Sequence, residues 1–330
     1  MLFIKTAGNR WKNSARPPAI VRRVFSTLLI TIICLTVVTI EGKKVIADEF
    51  PLRTDKPPIG RAKDKDFINE SSLTGYMSQA KVATLLDFDD FDTGIAKVTL
   101  EELAPDDSIG MHSLANSEEI FLFLNGPVEF TLGEDSAELS TGSLIVCPQN
   151  VLHSVKNISG NTLRWLKITV LESKSVPHYI EQSNALTNIT PKEFSENLSI
   201  KLDRELMRKS SGSHDGHGPI LFRRLFNTEA FATDVHVMSH AIVPPGSSIG
   251  YHQHNTREEV YFAVAGSGRL TANGHEIDFR TGDAVPCRLH GAHGVYNDSG
   301  SDLELFVFSF AVEKGNVRFE INLDDNLVKQ

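Results

Sequence analysis

Cysteine is nearly absent from this 330-residue chain: there are three, and one of them, Cys34, lies in an apolar run near the N-terminus. The remaining two, Cys147 and Cys287, cannot supply the disulfide framework that small secreted folds use in place of a large core. Positive charge is also scarce once the N-terminus is set aside. The formal net charge is −9; the first 47 residues hold eight basic side chains and one acid, Glu41, so the rest carries −16. A body that acidic has no electrostatic reason to sit on nucleic acid or an anionic bilayer, which leaves small-molecule or neutral partners. Apolar and charged fractions of 41% and 23% exclude pervasive disorder, and the length has room for two domains with their own cores.

The one long apolar run, residues 24–40, follows a basic stretch and precedes Val45-Ile46-Ala47, a small-residue cleavage pattern. Residues 1–47 therefore read as an export signal or an anchor. Arg22-Arg23-Val24-Phe25 resembles the twin-arginine export motif. Three readings stay open: a twin-arginine signal cleaved before Asp48, a general secretory signal, or an uncleaved anchor. The run of 17 residues sits at the lower edge of a spanning helix. Each reading puts the body outside the cytoplasm, periplasmic or extracellular. Only the anchor attaches it to a membrane.

What the chain does have is an internal repeat. A shift of 140 residues superposes Gly110 on Gly250, His112 on His252, Glu119 on Glu259 and Gly126 on Gly266. The same shift brings Gly142 onto Gly282, Cys147 onto Cys287, His153 onto His293 and Asn157 onto Asn297. Each unit reads as all-β. Short apolar or alternating runs at 120–124 and 128–132 flank Asn125-Gly126-Pro127, and runs at 260–264 and 269–272 flank Gly266-Ser267-Gly268. Closing strands are expected at 163–171 and 303–312. Many short strands with glycine-rich turns predict a sandwich or barrel for each unit. The expected domains are residues 80–172 and 217–315. An extended arm, 48–79, is expected to pack on the first barrel, and a tail follows at 316–330. The linker, 173–216, is expected to be mostly helical, with short helices over 181–186 and 191–206 and a flexible hinge at Ser210-Ser211-Gly212-Ser213.

The second unit carries Gly246-x5-His252-Gln253-His254-x4-Glu259-x6-Gly266. His252 and His254, two apart on a strand, present both imidazoles to one face. Glu259 adds a carboxylate and His293 a third imidazole. This donor set suits Fe, Mn, Co, Ni or Zn, and on an octahedral ion it leaves two positions open. In the first unit His112, Glu119 and His153 hold the matching positions, but Leu114 replaces the second histidine of the pair. That barrel reads as structural or as a binder of something organic, with a weak three-ligand site left open. Two further positions differ: Tyr261 matches Phe121, and His290 matches Asn150. Tyr261, two residues after Glu259, faces inward, and His290 lies on the loop at the cavity mouth. Both are candidate acid–base catalytic groups, against the plainer reading that one fills the barrel and the other is solvated. Cys147 and Cys287 read as small buried hydrophobes. His214 and His217 read as a solvated loop pair, with a lid or a minor metal site as the alternative.

These residues resemble the cupin superfamily. The second unit matches the first cupin motif, G-x5-H-x-H-x3,4-E-x6-G, at every fixed position. It matches the second motif, G-x5-P-x-G-x2-H-x3-N, at Gly282, His293 and Asn297, and departs from it at Arg288 and His290. The resemblance implies two tandem cupin barrels of the double-stranded β-helix or jelly-roll kind. It implies a metal, Fe or Mn before Zn, Ni or Co, on His252, His254, Glu259 and His293. It implies an enzyme, exported by the N-terminal reading, that acts on a small oxygen-bearing substrate, a dioxygenase-type oxidoreductase first. A metal-dependent lyase, decarboxylase or isomerase is the alternative enzyme, and a non-catalytic small-molecule or metal-binding bicupin the alternative outside catalysis. An oxalate decarboxylase-like enzyme with two intact metal sites is disfavoured by Leu114. Pairing through barrel edges, as a homodimer, is compatible with the resemblance.

Overall fold

The computed structural model describes residues 52–69, 80–172, 179–180, 198–316 and 320–323. The signal or anchor segment, the expected helix at 181–186 and most of the tail lie outside these residues. Among the described residues no helix is long and apolar enough to cross a membrane.

The sequence repeat is a structural repeat at the same offset. Ile95–Leu103 recurs as Val235–Val243, Ser108–Leu114 as Ser248–His254, and Leu163–Leu171 as Leu303–Ala311. Each unit is a pair of antiparallel sheets facing one another. In the first, a seven-stranded sheet runs in the order Ile68–Asn69, Lys81–Leu86, Ile95–Leu103, Leu163–Leu171, Ser117–Phe123, Ser143–Cys147, Ser199–Lys201. A five-stranded sheet opposes it: Tyr179–Ile180, Ser108–Leu114, His153–Asn157, Val128–Leu132, Asp135–Leu139. In the second unit the six-stranded sheet is Arg208–Ser211, Pro219–Asn227, Val235–Val243, Leu303–Ala311, Arg257–Ala265, Ala284–Cys287. Its five-stranded partner is His275–Arg280, Ser267–Ala272, Ala292–Tyr296, Ser248–His254, Glu320–Asn322. The protein is all-β, two tandem barrels.

Strand parity explains why the central strands are apolar on both faces. Ser117–Phe123 is buried at every residue, and Leu303–Ala311 at all but two. In the second unit, Tyr261, Ala263 and Leu305 point into the barrel and join a core with Ile249, Leu270 and Val285. Their neighbours Val260, Phe262, Phe306, Phe308 and Phe310 point outward and join a second core with Ile120, Leu122, Leu166 and Ile168 of the first unit. One strand thus feeds two cores, the barrel interior and the seam between barrels. That is the pattern of a sheet buried on both sides.

Two carboxylates pin the seam. Glu258 Oε1 accepts the Asp92 amide at 2.8 Å, and Oε2 accepts the Thr93 amide at 2.7 Å and the Thr93 hydroxyl. In the reciprocal place Glu118 Oε1 accepts the Ala232 amide at 2.9 Å, and Oε2 accepts the Thr233 amide at 3.0 Å and its hydroxyl at 2.5 Å. Each glutamate immediately precedes the inward-facing one (Glu119 or Glu259) and by parity points away from the barrel interior. Burial raises the Glu258 carboxyl above the usual range, against the pull of the Thr93 and Asp92 donors.

The arm and the linker differ from expectation. Residues 52–61 lie mainly on the second barrel, with Arg53 also binding Asp92 and Gly60 passing Leu85 of the first. Gly60 bridges Ala284 in the six-stranded sheet, and Arg61 forks onto Asp283 at 2.6 and 2.5 Å. Gly60 lets the chain pass against Leu85 of the first unit; a Cβ there would stand 2.6 Å from the Leu85 carbonyl oxygen. The chain joins a sheet of its own barrel at Ile68–Asn69, which pairs with Lys81–Leu86. In the linker, the described part of the expected helix at 191–206 is a strand, Ser199–Lys201, and a single 3-10 turn, Arg204–Leu206. The strand pairs with Ser143–Cys147 at the sheet's edge, and satisfying that edge outweighs a weak local helix signal. The expected hinge is half strand: Ser210 and Ser211 belong to Arg208–Ser211, which pairs with Pro219–Asn227, and Gly212 turns left-handed into the 3-10 turn Ser213–Asp215.

Candidate metal centre

The second barrel brings His252, His254, Glu259 and His293 together, one donor atom from each lying within 4.8 Å of the others. All four side chains are buried. His252 and His254 stand on Ser248–His254, His293 faces His252 across the ladder, and Glu259 enters from Arg257–Ala265 in the opposing sheet. The Nε2 atoms of His252 and His254 are 3.1 Å apart. Glu259 Oε2 lies 3.5 Å from His254 Nε2 and 3.3 Å from His293 Nε2.

The donor chemistry fits a cation. Nδ1 of His252 is 2.8 Å from the Gly250 carbonyl, which can only accept, so Nδ1 carries the ring proton and Nε2 turns a lone pair to the centre. Burial drives His252 well below its ordinary pKa, assisted by His293, His254 and His214. Burial also takes His254 down to about 4, against the pull of Glu259. Burial opposes ionisation of Glu259, yet His254, His293 and Arg257 hold its carboxyl well below the usual range. Neutral imidazoles around an ionised carboxylate are the forms that bind a transition metal.

Comparison with known proteins bears on the fold. The cupin domain family model matches twice, at residues 99–169 and 239–309. The chain is a two-domain cupin. An oxalate-binding protein of Thermotoga maritima is 29% identical over 94 residues, 28% of this chain and 78% of its own length. The salicylate 1,2-dioxygenase of Pseudaminobacter salicylatoxidans superposes with a TM-score of 0.58 at 12% identity, covering 82% of this chain and 88% of that one. AerE from Microcystis aeruginosa superposes at 0.51 with 17% identity, over 71% of this chain and 93% of its own. At these identities the superpositions establish the fold alone.

The bicupin's first barrel repeats the geometry with one ligand missing. His112 and His153 lie 4.2 Å apart between ring centroids, against 4.3 Å for His252 and His293. His153 Nε2 is 2.9 Å and His112 Nε2 3.8 Å from Glu119 Oε2. Leu114 is buried where His254 would stand. Burial opposes ionisation of Glu119, but Lys167, His112 and His153 hold its carboxyl well below the usual range. Cys147 and Cys287 pair across the ladder with Glu119 and Glu259. Burial and the neighbouring carboxylates push both thiols well up, as suits small apolar fillers.

Tyr261 is buried with its ring edge-on to His293, centroids 5.3 Å apart, and Phe121 meets His153 in the same way at 5.7 Å. His290 is half-buried and lies outside the cluster of four donors. Its amide donates to the His254 carbonyl at 3.0 Å, and its Nδ1 lies 3.1 Å from Asn255 Oδ1. Where the second motif expects glycine, His290 takes φ 61° and Asn150 φ 59°, so the left-handed turn forms without glycine. Arg288, in the motif's proline position, reaches Asp92 of the first barrel, which also binds Arg53 at 2.6 Å.

Two residues of the site were not expected. His214 does not face solvent freely: it stacks on His252 with centroids 3.7 Å apart and planes 5° apart. Its loop comes so close that a Cβ on Gly250 would stand 2.0 Å from the His214 carbonyl oxygen, so only glycine fits there. No sequence spacing links residues 214 and 252. His217, by contrast, is exposed, and only its backbone binds, to Ser248. Arg257 touches two of the four donors, with Nε 3.3 Å from Glu259 Oε1 and Nη2 3.2 Å from His254 Nε2. Its place two residues before Glu259, on the same strand face, was the available signal.

Proposed function

We propose that the second barrel holds one divalent transition-metal ion, Fe or Mn in preference to Zn, Ni or Co, on His252, His254, Glu259 and His293. In this reading it oxidises a small oxygen-bearing substrate in a dioxygenase-type reaction. The buried three-imidazole, one-carboxylate set is the observation that carries it. Such an ion would offer two open positions and Lewis-acid or redox chemistry. The chain's own residues do the rest. Gly250 fixes the His252 tautomer, His214 packs flat on that ring, and Tyr261 braces His293. Arg257, largely buried beside two ligands, is a fork-shaped cation suited to a substrate carboxylate or enolate. Tyr261 and His290 are assigned to proton handling or substrate orientation. The acidic composition and the apolar run at 24–40 support an exported protein with small-molecule partners.

The dioxygenase reading draws support from the salicylate 1,2-dioxygenase likeness over both barrels. The oxalate-binding relative favours a second reading, a metal-dependent binder of small carboxylates without turnover. Oxygen uptake by metal-loaded chain on a panel of diketones, catechols and hydroxy acids separates them. Uptake lost in His252→Ala supports the oxidoreductase. Thermal stabilisation by oxalate or a hydroxy acid, without uptake or any other turnover, supports the binder. Turnover without oxygen uptake would support a lyase, decarboxylase or isomerase.

A further inference from the structure

The interior of the first barrel contains a charge that the second lacks. Lys167, in the middle of Leu163–Leu171, has a side chain only 9% exposed, and its Nζ lies 2.9 Å from Glu101 Oε1 and 3.3 Å from Glu119 Oε1. Glu101 is wholly buried and also accepts the Thr99 hydroxyl at 2.8 Å. At the repeat offset, Lys167 corresponds to Val307 and Glu101 to Ala241, so the pair belongs to the first barrel alone. Arg257, the guanidinium beside Glu259, corresponds to Ser117. The two barrels therefore compensate the same buried carboxylate differently. A buried carboxylate needs a partner cation: in the second barrel the chain supplies the Arg257 guanidinium, and in the first an ammonium held between Glu101 and Glu119.

The three donors His112, Glu119 and His153 do lie close enough together to suggest an ion. Two features weigh against one. Leu114 removes a ligand. The ammonium, 3.3 Å from Glu119 Oε1, would also repel a dication on that carboxylate; Arg257 stands at the same distance from Glu259, but its charge is spread over a planar fork and its side chain is more exposed, 15% against 9%. We propose that Lys167 is a built-in substitute for the metal ion: anchored by Glu101, its ammonium pairs with the carboxylate of the His112–Glu119–His153 set, lets the first barrel fold metal-free and keeps divalent cations from it. Loss of the histidine at position 114 and gain of the lysine–glutamate pair are then two halves of one change. The inference does not depend on the reaction assigned to the second barrel.

The test uses the full chain carrying His252→Ala, so that the second barrel's site is disabled and bound metal reports on the first. Cobalt(II) binding is followed by calorimetry and by the cobalt visible spectrum. In that background Leu114→His alone should still bind no cobalt tightly, because the ammonium remains. Leu114→His with Lys167→Val and Glu101→Ala, which gives the first barrel the second barrel's residues at three positions, should tighten binding by about 10–100-fold or more. Tight binding by Leu114→His alone overturns the proposal, and so does a folded triple variant that binds no better. If the triple variant does not fold, Lys167→Met in the same background is read by thermal unfolding. Cobalt should raise its midpoint and leave that of the parent unchanged; equal responses overturn the proposal.

Discussion

Replacing Glu258 with alanine tests how the two barrels are joined. The carboxylate is fully buried and receives three donors from Asp92 and Thr93 of the other barrel. Truncation leaves two backbone amides without an acceptor, at about 1–3 kcal/mol each, while the Thr93 hydroxyl can rotate to a new partner. The expected loss is therefore about 2–6 kcal/mol, read from urea unfolding of the metal-saturated chain. Glu118→Ala should lose a similar amount, because the reciprocal glutamate makes the same three contacts. Glu102→Ala is the control: its partner Arg164 is exposed, and such pairs contribute about 0.2–1 kcal/mol. Glu258 adjoins the proposed ligand Glu259 whereas Glu118 adjoins Glu119, so only Glu258→Ala should also weaken metal binding. A Glu258→Ala chain within about 0.5 kcal/mol of the parent would refute the clamp, because the amides would then have lost nothing of value.

Three other outcomes follow from the same contacts. Tyr261→Phe and His290→Asn recreate what the first barrel carries at those positions. If the parent groups handle protons, each change should lower turnover by roughly 10²–10⁴-fold at matched metal occupancy, and near-parental rates in both would remove them from the chemistry. Arg61→Ala leaves Asp283, 1% exposed, with the Arg280 amide but without its guanidinium; because Arg61 is 31% exposed the expected cost is about 1–3 kcal/mol, with faster proteolysis near Gly60, and an unchanged digestion pattern would deny the arm its anchoring role. Changing Arg22 and Arg23 together to lysine keeps the charge but loses the pair; export should stop if the twin-arginine route is used, and continued export would favour an ordinary signal or an anchor.

Much of the fold was legible because the repeat fixes register. Glycine, histidine and glutamate recurring at 140 residues aligned the strands, and strand parity put His252, His254, Glu259 and Tyr261 on inward faces, where the structure has them. The same parity, applied to Lys167 and Arg257, would have found both buried charges. A lysine in an apolar closing strand is as informative as a histidine in a motif. The arm's crossing to the second barrel was not legible, since Gly60 and Arg61 find Ala284 and Asp283 over more than two hundred residues with no local signature. His214 was hidden for the same reason: its stacking on His252 depends on two glycines permitting close backbone approach. The linker misled because Ser199–Lys201 takes its conformation from the sheet edge it covers.

The metal content of full-length chain purified without chelators tests the central claim most directly. Elemental analysis should find close to one divalent transition-metal ion per chain, lost when His252 or Glu259 becomes alanine and kept when His112 does. Two tightly held ions per chain, or one that disappears with His112→Ala and survives His252→Ala, would contradict it.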